Sequence, residues 1–408
     1  MAERINMKIL MLTTSFPLYQ GHTAGVFVLE QARHLCRAGM NVHVLAPWQP
    51  VGCRLETMAG VDVSRFPYFW PKHKAGLCYG EGGVPENMKN NPALRFQLPF
   101  LVFMFLIHTF RMARRFDVIY AHWTLAGLAG VMAGKIMKKP VVVMMHHGQA
   151  RRSANPLEKF VISHADRVVC NSGYTRNHVR RCYRSWGCDL IPPGVDTDIF
   201  KPLPVDSSGV FFSRLGIPDH LPVVLAVGRH IAWKGFAYLL QAAARIKDRV
   251  PFVLIIGGGG PETPGLRLSA EKLGIQDRVV FTGRIPNSDM PRLYNRATVF
   301  VLPSIVDASG NTEGLGVVLM EAMACGTPCV GSNVGGIPDI VRDGYNGLLI
   351  PAGDAAALAE AILRLLTDEK LRQSMGENGR RFIAENYSWV RITDRTVALL
   401  RALHNNRD

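Results

Sequence analysis

Short apolar runs recur along the chain, separated by longer stretches with helical spacing. In the first half they are KILMLTT (8–14), NVHVLAP (41–47), DVIYAHW (117–123), PVVVMMHHG (140–148), DRVVCNS (166–172) and DLIPPGVD (189–196). In the second half they are PVVLAVGR (222–229), PFVLIIGGG (251–259), RVVFTGR (278–284), ATVFVLPS (297–304), PCVGS (328–332) and GLLIPAG (347–353). Continuous Val, Ile and Leu suit strands buried on both faces of a parallel sheet. Between them, VFVLEQARHLCRAG (26–39) has an apolar stripe and ends in Gly39, a helix stop, and FAYLLQAAARI (236–246) is a second such helix. The alternation of strand and helix occurs twice over. It predicts an α/β fold of two doubly wound, Rossmann-like domains. KPLPVDSSG (201–209) reads as the linker. The expected division is a first domain over 1–200, a second over 201–387, and a terminal helix within 388–408 that packs back on the first. There is no repeat at solenoid period and no low-complexity tract.

Composition fits this picture. The chain has 408 residues, 48% hydrophobic and 19% charged, which is enough apolar material for two cored domains and argues against disorder. The formal charge of +15 is uneven. Residues 1–200 carry 24 Lys and Arg against 12 Asp and Glu, whereas 201–408 carry 23 against 20. The basic surface therefore belongs to the first domain, where it would attract anionic lipid, an anionic substrate or nucleic acid. The eight cysteines form no CxxC pair. Cys325 and Cys329 lack the further ligands of a zinc site. Reduced thiols and the lack of a convincing signal peptide point to a cytoplasmic protein. The nearest approach to a membrane span is FQLPFLVFMFLIHTFRMARRF (96–116), which ends in Arg111, Arg114 and Arg115. Its uncharged core reads as too short to cross a bilayer.

Ligands of open α/β sheets bind at the carboxyl ends of the strands, and those ends carry the chemistry here. The run 140–148 delivers His146, His147 and Gly148, 222–229 delivers Gly228 and Arg229, and 278–284 delivers Gly283 and Arg284. After 297–304 comes EGLGVVLMEAMACGTPCVG (313–331). Gly314 and Gly316 break the chain before an apolar helix that Gly326 caps and Pro328 stops. The helix is apolar on every side and reads as buried, so Glu321 within it needs a dedicated partner. A ribose diol or a structural donor from the core would serve. The glycine turn and helix N-terminus make an anion site. Glu313 beside it either accepts from sugar hydroxyls or simply complements the helix dipole. GRHIAWKG (228–235) adds Arg229 and Lys234, two cations suited to a diphosphate. Together these features read as a nucleotide-sugar site.

The ordered series IPPGVDTDIFKP, GRHIAWKG, IIGGGGPE, VVFTGRIP and the long run from VLPSIVDASGNTEGLGVVLMEAMACGTPCVG to GLLIPAGD resembles the retaining glycosyltransferases of family 4, which have the GT-B fold. The E-x7-E pattern of Glu313 and Glu321 is that family's hallmark. SFPLYQGHTAGVFVLEQARHLCRAGMNVHVLAP and VVVMMHHG match more loosely, so the likeness spans nearly the whole chain and leans toward members that build bacterial cell-surface polysaccharides.

The resemblance implies roles. Arg229 and Lys234 would hold the donor diphosphate beside Gly228, and Glu321 the ribose. Glu313 would contact the transferring sugar, with Gly314, Gly316 and the N–H groups of Leu315 to Val317 at sugar and phosphate. Ile285 would lie by the base, and Gly25 would approach the diphosphate from the first domain. His147 would be the active-site histidine, with His146 its competitor one register away. The family's HGxD is replaced here by HHGQA, so an acidic partner for the histidine is missing at that spacing. The tetraglycine 257–260 does not match GxGxxG and is not a dinucleotide fingerprint.

The resemblance further implies retention of configuration, no metal or other cofactor, and an acceptor bound by the first domain. The apolar run 98–107 with its arginines suggests docking on anionic membrane at the cytoplasmic face and a glycan or lipid-linked acceptor. A buried helix with a solvated basic end explains the same residues. Two rivals stay open: another sugar-nucleotide enzyme of this fold, such as an epimerase, and a non-catalytic binder of anionic surfaces. Nucleic acid is not an expected partner.

Overall fold

The computed structural model describes residues 7–19, 21–22, 24–49, 53–79, 83–146, 155–184, 187–204 and 217–405. The first sheet contains β1 (Lys8–Leu12), β2 (Asn41–Pro47), β3 (Leu55–Met58), β4 (Val61–Phe66), β5 (Val118–His122), β6 (Val141–Met145), β7 (Arg167–Cys170) and β8 (Cys188–Leu190). Their spatial order is β3-β4-β2-β1-β5-β6-β7-β8. The second contains β9 (Val223–Val227), β10 (Val253–Gly257), β11 (Val279–Gly283), β12 (Val299–Leu302), β13 (Cys329–Ser332) and β14 (Gly347–Ile350), in the order β11-β10-β9-β12-β13-β14. Every pairing is parallel except β3 with β4. Each predicted apolar run contains one strand, except that 189–196 holds only the last two residues of β8. The hairpin β3–β4 was not foreseen, because its exposure alternates along the chain as in a half-solvated sheet edge.

Helices α1 (Val26–Arg37), α2 (Gly83–Asn90), α3 (Leu98–Ala113), α4 (Trp123–Met137), α5 (Pro156–His164) and α6 (Gly173–Tyr183) accompany the first sheet. With the second run α7 (Phe236–Ile246), α8 (Thr263–Lys272), α9 (Met290–Arg296), α10 (Val317–Ala324), α11 (Ile337–Ile340), α12 (Ala355–Thr367) and α13 (Glu369–Asn386). The last described element is α14 (Trp389–Asn405). Successive strand residues enter opposite cores, as a period of two demands. Leu10, Leu12, Ile119 and Val143 join one cluster, while Ile9, Met11, Val118 and Val142 join another. Val223 and Leu225 part from Val224 and Ala226 in the same way. Fully burying each such side chain is worth about 1.5–3 kcal/mol.

The strand order reverses between β1 and β5, and again between β9 and β12. Such switch points open a crevice at the strand ends. The two crevices face each other, since Arg284 after β11 donates to the carbonyl oxygen of Gly21, beyond β1, at 3.3 Å.

α14 leaves the second domain and packs on the first. Trp389, Ile392, Leu400 and Leu403 share a core with Val28 and Leu35 of α1, and the Trp389 ring stacks on His34 with centroids 5.3 Å apart. The two chain crossings run side by side. Val195 N–H donates to the Tyr387 carbonyl at 2.8 Å and Trp389 N–H to that of Val195 at 3.2 Å.

The expectation that 96–116 is too short to span a membrane is corrected in length. A 3-10 turn (Pro92–Gln97) runs directly into α3, so 92–113 is long and apolar enough to cross a bilayer by length and composition. Its packing is one-sided. Leu101, Phe105, Thr109 and Ala113, four residues apart, are buried, whereas Phe96, Phe100 and Phe103 are 79%, 54% and 61% exposed.

Candidate active site

After β9 the chain turns through Gly228, Arg229 and His230 into a 3-10 turn (Ala232–Lys234). Gly235 then adopts a φ of +70°, and a Cβ there would collide with the carbonyl oxygen of Pro303, just past β12. This glycine lets the turn press against β12 and brings Lys234 under its end. Lys234 Nζ donates to Glu313 Oε2 at 2.5 Å, and both side chains are buried. Ser304 Oγ donates to the same oxygen at 3.4 Å, and Nζ lies 4.6 Å from the centroid of the Trp233 ring. Gly228 faces the Lys234 stem, 3.4 Å from Cε to where its Cβ would be.

The tetraglycine ties strand ends together. Gly228 N–H donates to Gly257 O, His230 N–H to Gly259 O and Gly258 N–H to Gly283 O, at 3.0, 2.9 and 2.8 Å. It is a backbone brace for the β9, β10 and β11 ends.

The turn from Glu313 to Val317 is held from behind. Gly336 N–H donates to Glu313 O at 3.0 Å, and a Cβ on Gly335 would strike that same carbonyl. Gly314 is half-buried and Leu315 buried. Gly316, with φ at +94°, opens α10. The helix is not buried on every side as expected: Val317, Val318 and Glu321 are partly exposed along one flank. Glu321 nevertheless has the required partner, because Tyr294 Oη donates to its Oε2 at 2.7 Å. Burial pushes the Glu321 carboxyl up to about 7, with the Tyr294 hydrogen bond pulling the other way. Nothing in the sequence singled out Tyr294, a fully buried tyrosine of α9.

The structure thus brings Gly228, Lys234, Glu313, Gly314, Leu315, Gly316, Val317 and Glu321 to one end of the second sheet. Ile285 covers the backbone of Gly257, where no Cβ could fit. Arg229 differs from Lys234 in depth: it is exposed on the rim. Gly25 starts α1 on the facing edge, its φ of +68° placing it against the Ser15 carbonyl. His147 and Gly148 lie outside the described residues, whereas His146 follows β6, with Nε2 3.1 Å from His122 Nδ1. Among the described residues, Glu30, His34 and Asp196 come close enough together to hold a metal ion. They sit at the domain crossing, and Arg33 already bonds Glu30 and Asp196 at 2.5 and 3.1 Å.

Residues 24–199 match the family model glycosyltransferase family 4, and 209–382 match glycosyl transferases group 1. Over 280 residues the chain is 35% identical to a GDP-mannose-dependent alpha-(1-6)-phosphatidylinositol monomannoside mannosyltransferase of Mycolicibacterium smegmatis, covering 67% of this chain and 73% of that protein. Over 418 residues it is 30% identical to a D-inositol 3-phosphate glycosyltransferase of Salinispora arenicola, covering 94% and 88%. Among solved structures, sucrose-phosphate synthase from Thermosynechococcus elongatus superposes with a TM-score of 0.79 at 25% identity, covering 98% of this chain and 100% of that one. Anabaena Alr3699/HepE in complex with UDP gives 0.73 at 22% identity, covering 97% and 100%, a likeness of fold. The fold is GT-B.

Proposed function

The chain belongs to the group 1, family 4 glycosyltransferases, and we propose that it moves a sugar from a UDP- or GDP-sugar to a glycan or lipid-linked acceptor. The reading adds retention of anomeric configuration and independence of metal. The observation that carries it is the Lys234–Glu313 pair seated beside the N-terminus of α10, with Glu321 one helical flank away.

Breaking the anomeric bond loads negative charge onto the leaving diphosphate. Lys234 and the first N–H groups of α10 meet that charge from fixed positions, and exposed Arg229 adds a second cation at the rim. Glu313, held by Lys234 and Ser304, accepts from hydroxyls of the transferring sugar. Glu321 accepts from the ribose diol. The leaving phosphate takes the acceptor's proton on the face it vacates, which retains configuration. Closure of the facing rims keeps water out.

The acceptor reading draws on relatives whose names specify a phosphatidylinositol mannoside and an inositol phosphate. The exposed phenylalanines of α3, with Arg95, Arg111 and Arg114 close in sequence, fit a surface that rests on the anionic inner face of the cytoplasmic membrane. There the chain would serve cell-envelope or exopolysaccharide synthesis.

Thermal unfolding against UDP, GDP, ADP and their sugars tests the donor. A nucleotide at 100 times its Kd stabilises by about 2.7 kcal/mol, and Glu321→Ala should erase the shift. No shift with any nucleotide would refute the donor site as drawn.

A further inference from the structure

A carboxylate of the second domain caps a helix of the first, a contact that the roles above leave unused. β7 ends at Cys170, and α6 starts at Gly173. Ser172 is its N-cap, with Oγ accepting from Thr175 N–H at 3.1 Å. The N–H groups of Gly173 and Tyr174 have no acceptor within the helix, as at any helix start. Their acceptor lies 166 residues along the chain. Gly173 N–H donates to Asp339 Oδ2 at 2.5 Å, and Tyr174 N–H bonds the same carboxylate. A helix N-terminus favours such a charge. Burial pushes the Asp339 carboxyl up, while Gly173 N–H, the Arg176 guanidinium and Tyr174 N–H pull the other way. Position 173 has no room for a side chain, since a Cβ there would lie 2.7 Å from Asp339 Oδ1.

Asp339 belongs to α11, the short helix behind the Glu313–Val317 turn. Gly336 is the N-cap of α11 and donates to Glu313 O. A Cβ on it would fall 2.3 Å from Gly314 O and 2.7 Å from Leu315 Cα. Backbone therefore presses on backbone, and α11 cannot shift without moving the turn. Tyr387 Oη donates to the Asp339 carbonyl oxygen at 2.8 Å, and the Tyr387 carbonyl receives Val195 N–H at the domain crossing. Asn171 and Ser172 of the first domain and Leu315, Asp339 and Tyr387 of the second line one cavity of about 130 Å³. The capped helix and the donor-side turn thus meet around one small space between the domains.

We propose that Asp339 is a positioning residue for sugar transfer: by capping α6 of the first domain it holds the Glu313–Val317 turn of the second in fixed relation to the facing rim. This rests on the glycosyltransferase reading. Most donor contacts drawn above lie on the second domain, whereas transfer needs both rims at once. The contact therefore acts on turnover more than on nucleotide affinity.

The test follows UDP or GDP release from UDP-glucose and GDP-mannose by the full chain, together with amide hydrogen exchange. Asp339→Ala should slow release about tenfold, the rate equivalent of one charge-assisted hydrogen bond, with the donor KM unchanged. Asp339→Asn, whose amide oxygen still accepts from Gly173, should restore most of the rate. Gly173→Ala attacks the same contact from the first domain. Alanine suits a helix better than glycine, so a loss there reports the collision with Asp339 and not a weakened α6. Gly173→Ala/Asp339→Ala should be no slower than Asp339→Ala alone, because the collision is gone. A merely structural contact would lower Tm and leave kcat of the folded enzyme unchanged. An Asp339→Ala rate within about twofold of wild type, or additive losses in the double variant, overturns the proposal. Should Asp339→Ala fail to fold, exchange in Gly173→Ala decides. That first-domain change should speed exchange of the 313–319 amides about tenfold, and unchanged exchange there overturns the proposal. Absence of release and of thermal shift in wild type strikes the donor reading instead, and exchange then decides this one.

Discussion

Lys234 Nζ lies 2.5 Å from Glu313 Oε2, although 79 residues separate them in the chain. On the donor reading proposed above, a diphosphate entering this site would meet an ion pair rather than a free cation. The pair would then share its ammonium end with phosphate while the carboxylate turned to the sugar.

Removing Lys234 therefore has two effects. Lys234→Ala strands a buried carboxylate, at a cost of about 3–5 kcal/mol, and should lower Tm. It should also slow turnover about a hundred- to thousandfold. Lys234→Ala/Glu313→Gln should recover Tm and leave turnover low. Recovery of both in a combined melting and rate measurement would separate Lys234 from the chemistry.

Glu313→Gln should do something less intuitive. It frees Lys234 for phosphate, so nucleotide diphosphate should bind more tightly in calorimetry, while turnover drops for want of the sugar contact. Weaker nucleotide binding in this variant would mean that the pair grips the diphosphate as a unit.

Glu321 gives a pH signature. Its folded-state pKa, about 7, is raised above the ordinary carboxyl value. Between those two values the folded protein binds the extra proton, so its contribution to stability is full at low pH and is lost as pH rises through 7. On the proposed ribose role, the ionised form is the one that would accept two hydroxyls. Nucleotide affinity should thus rise through pH 7 as the free protein's stability falls. Both trends should flatten in Glu321→Gln, measured by melting with and without nucleotide from pH 5.5 to 8.5.

The outer face of α3 can be tested apart from catalysis. Phe100→Ser/Phe103→Ser removes two exposed side chains worth about 1.5–3 kcal/mol each if they enter lipid. Co-sedimentation with phosphatidylglycerol vesicles should fall at least tenfold, with no change in nucleotide-induced thermal shift. Unchanged sedimentation would leave α3 as a surface helix and no more.

Much of this was legible in the chain because parallel sheets bury both faces. The run VVLAV must be apolar throughout, and it became β9. The hairpin β3–β4 escaped notice for the converse reason, since Asp62 and Ser64 alternate with Val61 and Val63. Local spacing singled out Glu313, Glu321 and Lys234 as candidates for chemistry. It could not pair Lys234 with Glu313 or find Tyr294 for Glu321, because those contacts are made by strand order. The need for a partner to Glu321 was readable from its apolar neighbours; the identity of that partner required the packing of α9 on α10.

The side-by-side crossings at Val195 and Trp389 have a mechanical consequence. α14 is covalently an extension of the second domain yet travels with the first, so both covalent connections pass through one point of the interface. Any swing of the domains turns about that point like a door on two pins set in line. Gly194 lies flat against Trp389, where a Cβ would meet the indole at 2.6 Å, so the pivot is set by a bare backbone pressed on a ring. A nick between residues 200 and 204 would leave the protein a single particle, held by the other strand of the pivot and by the seat of α14.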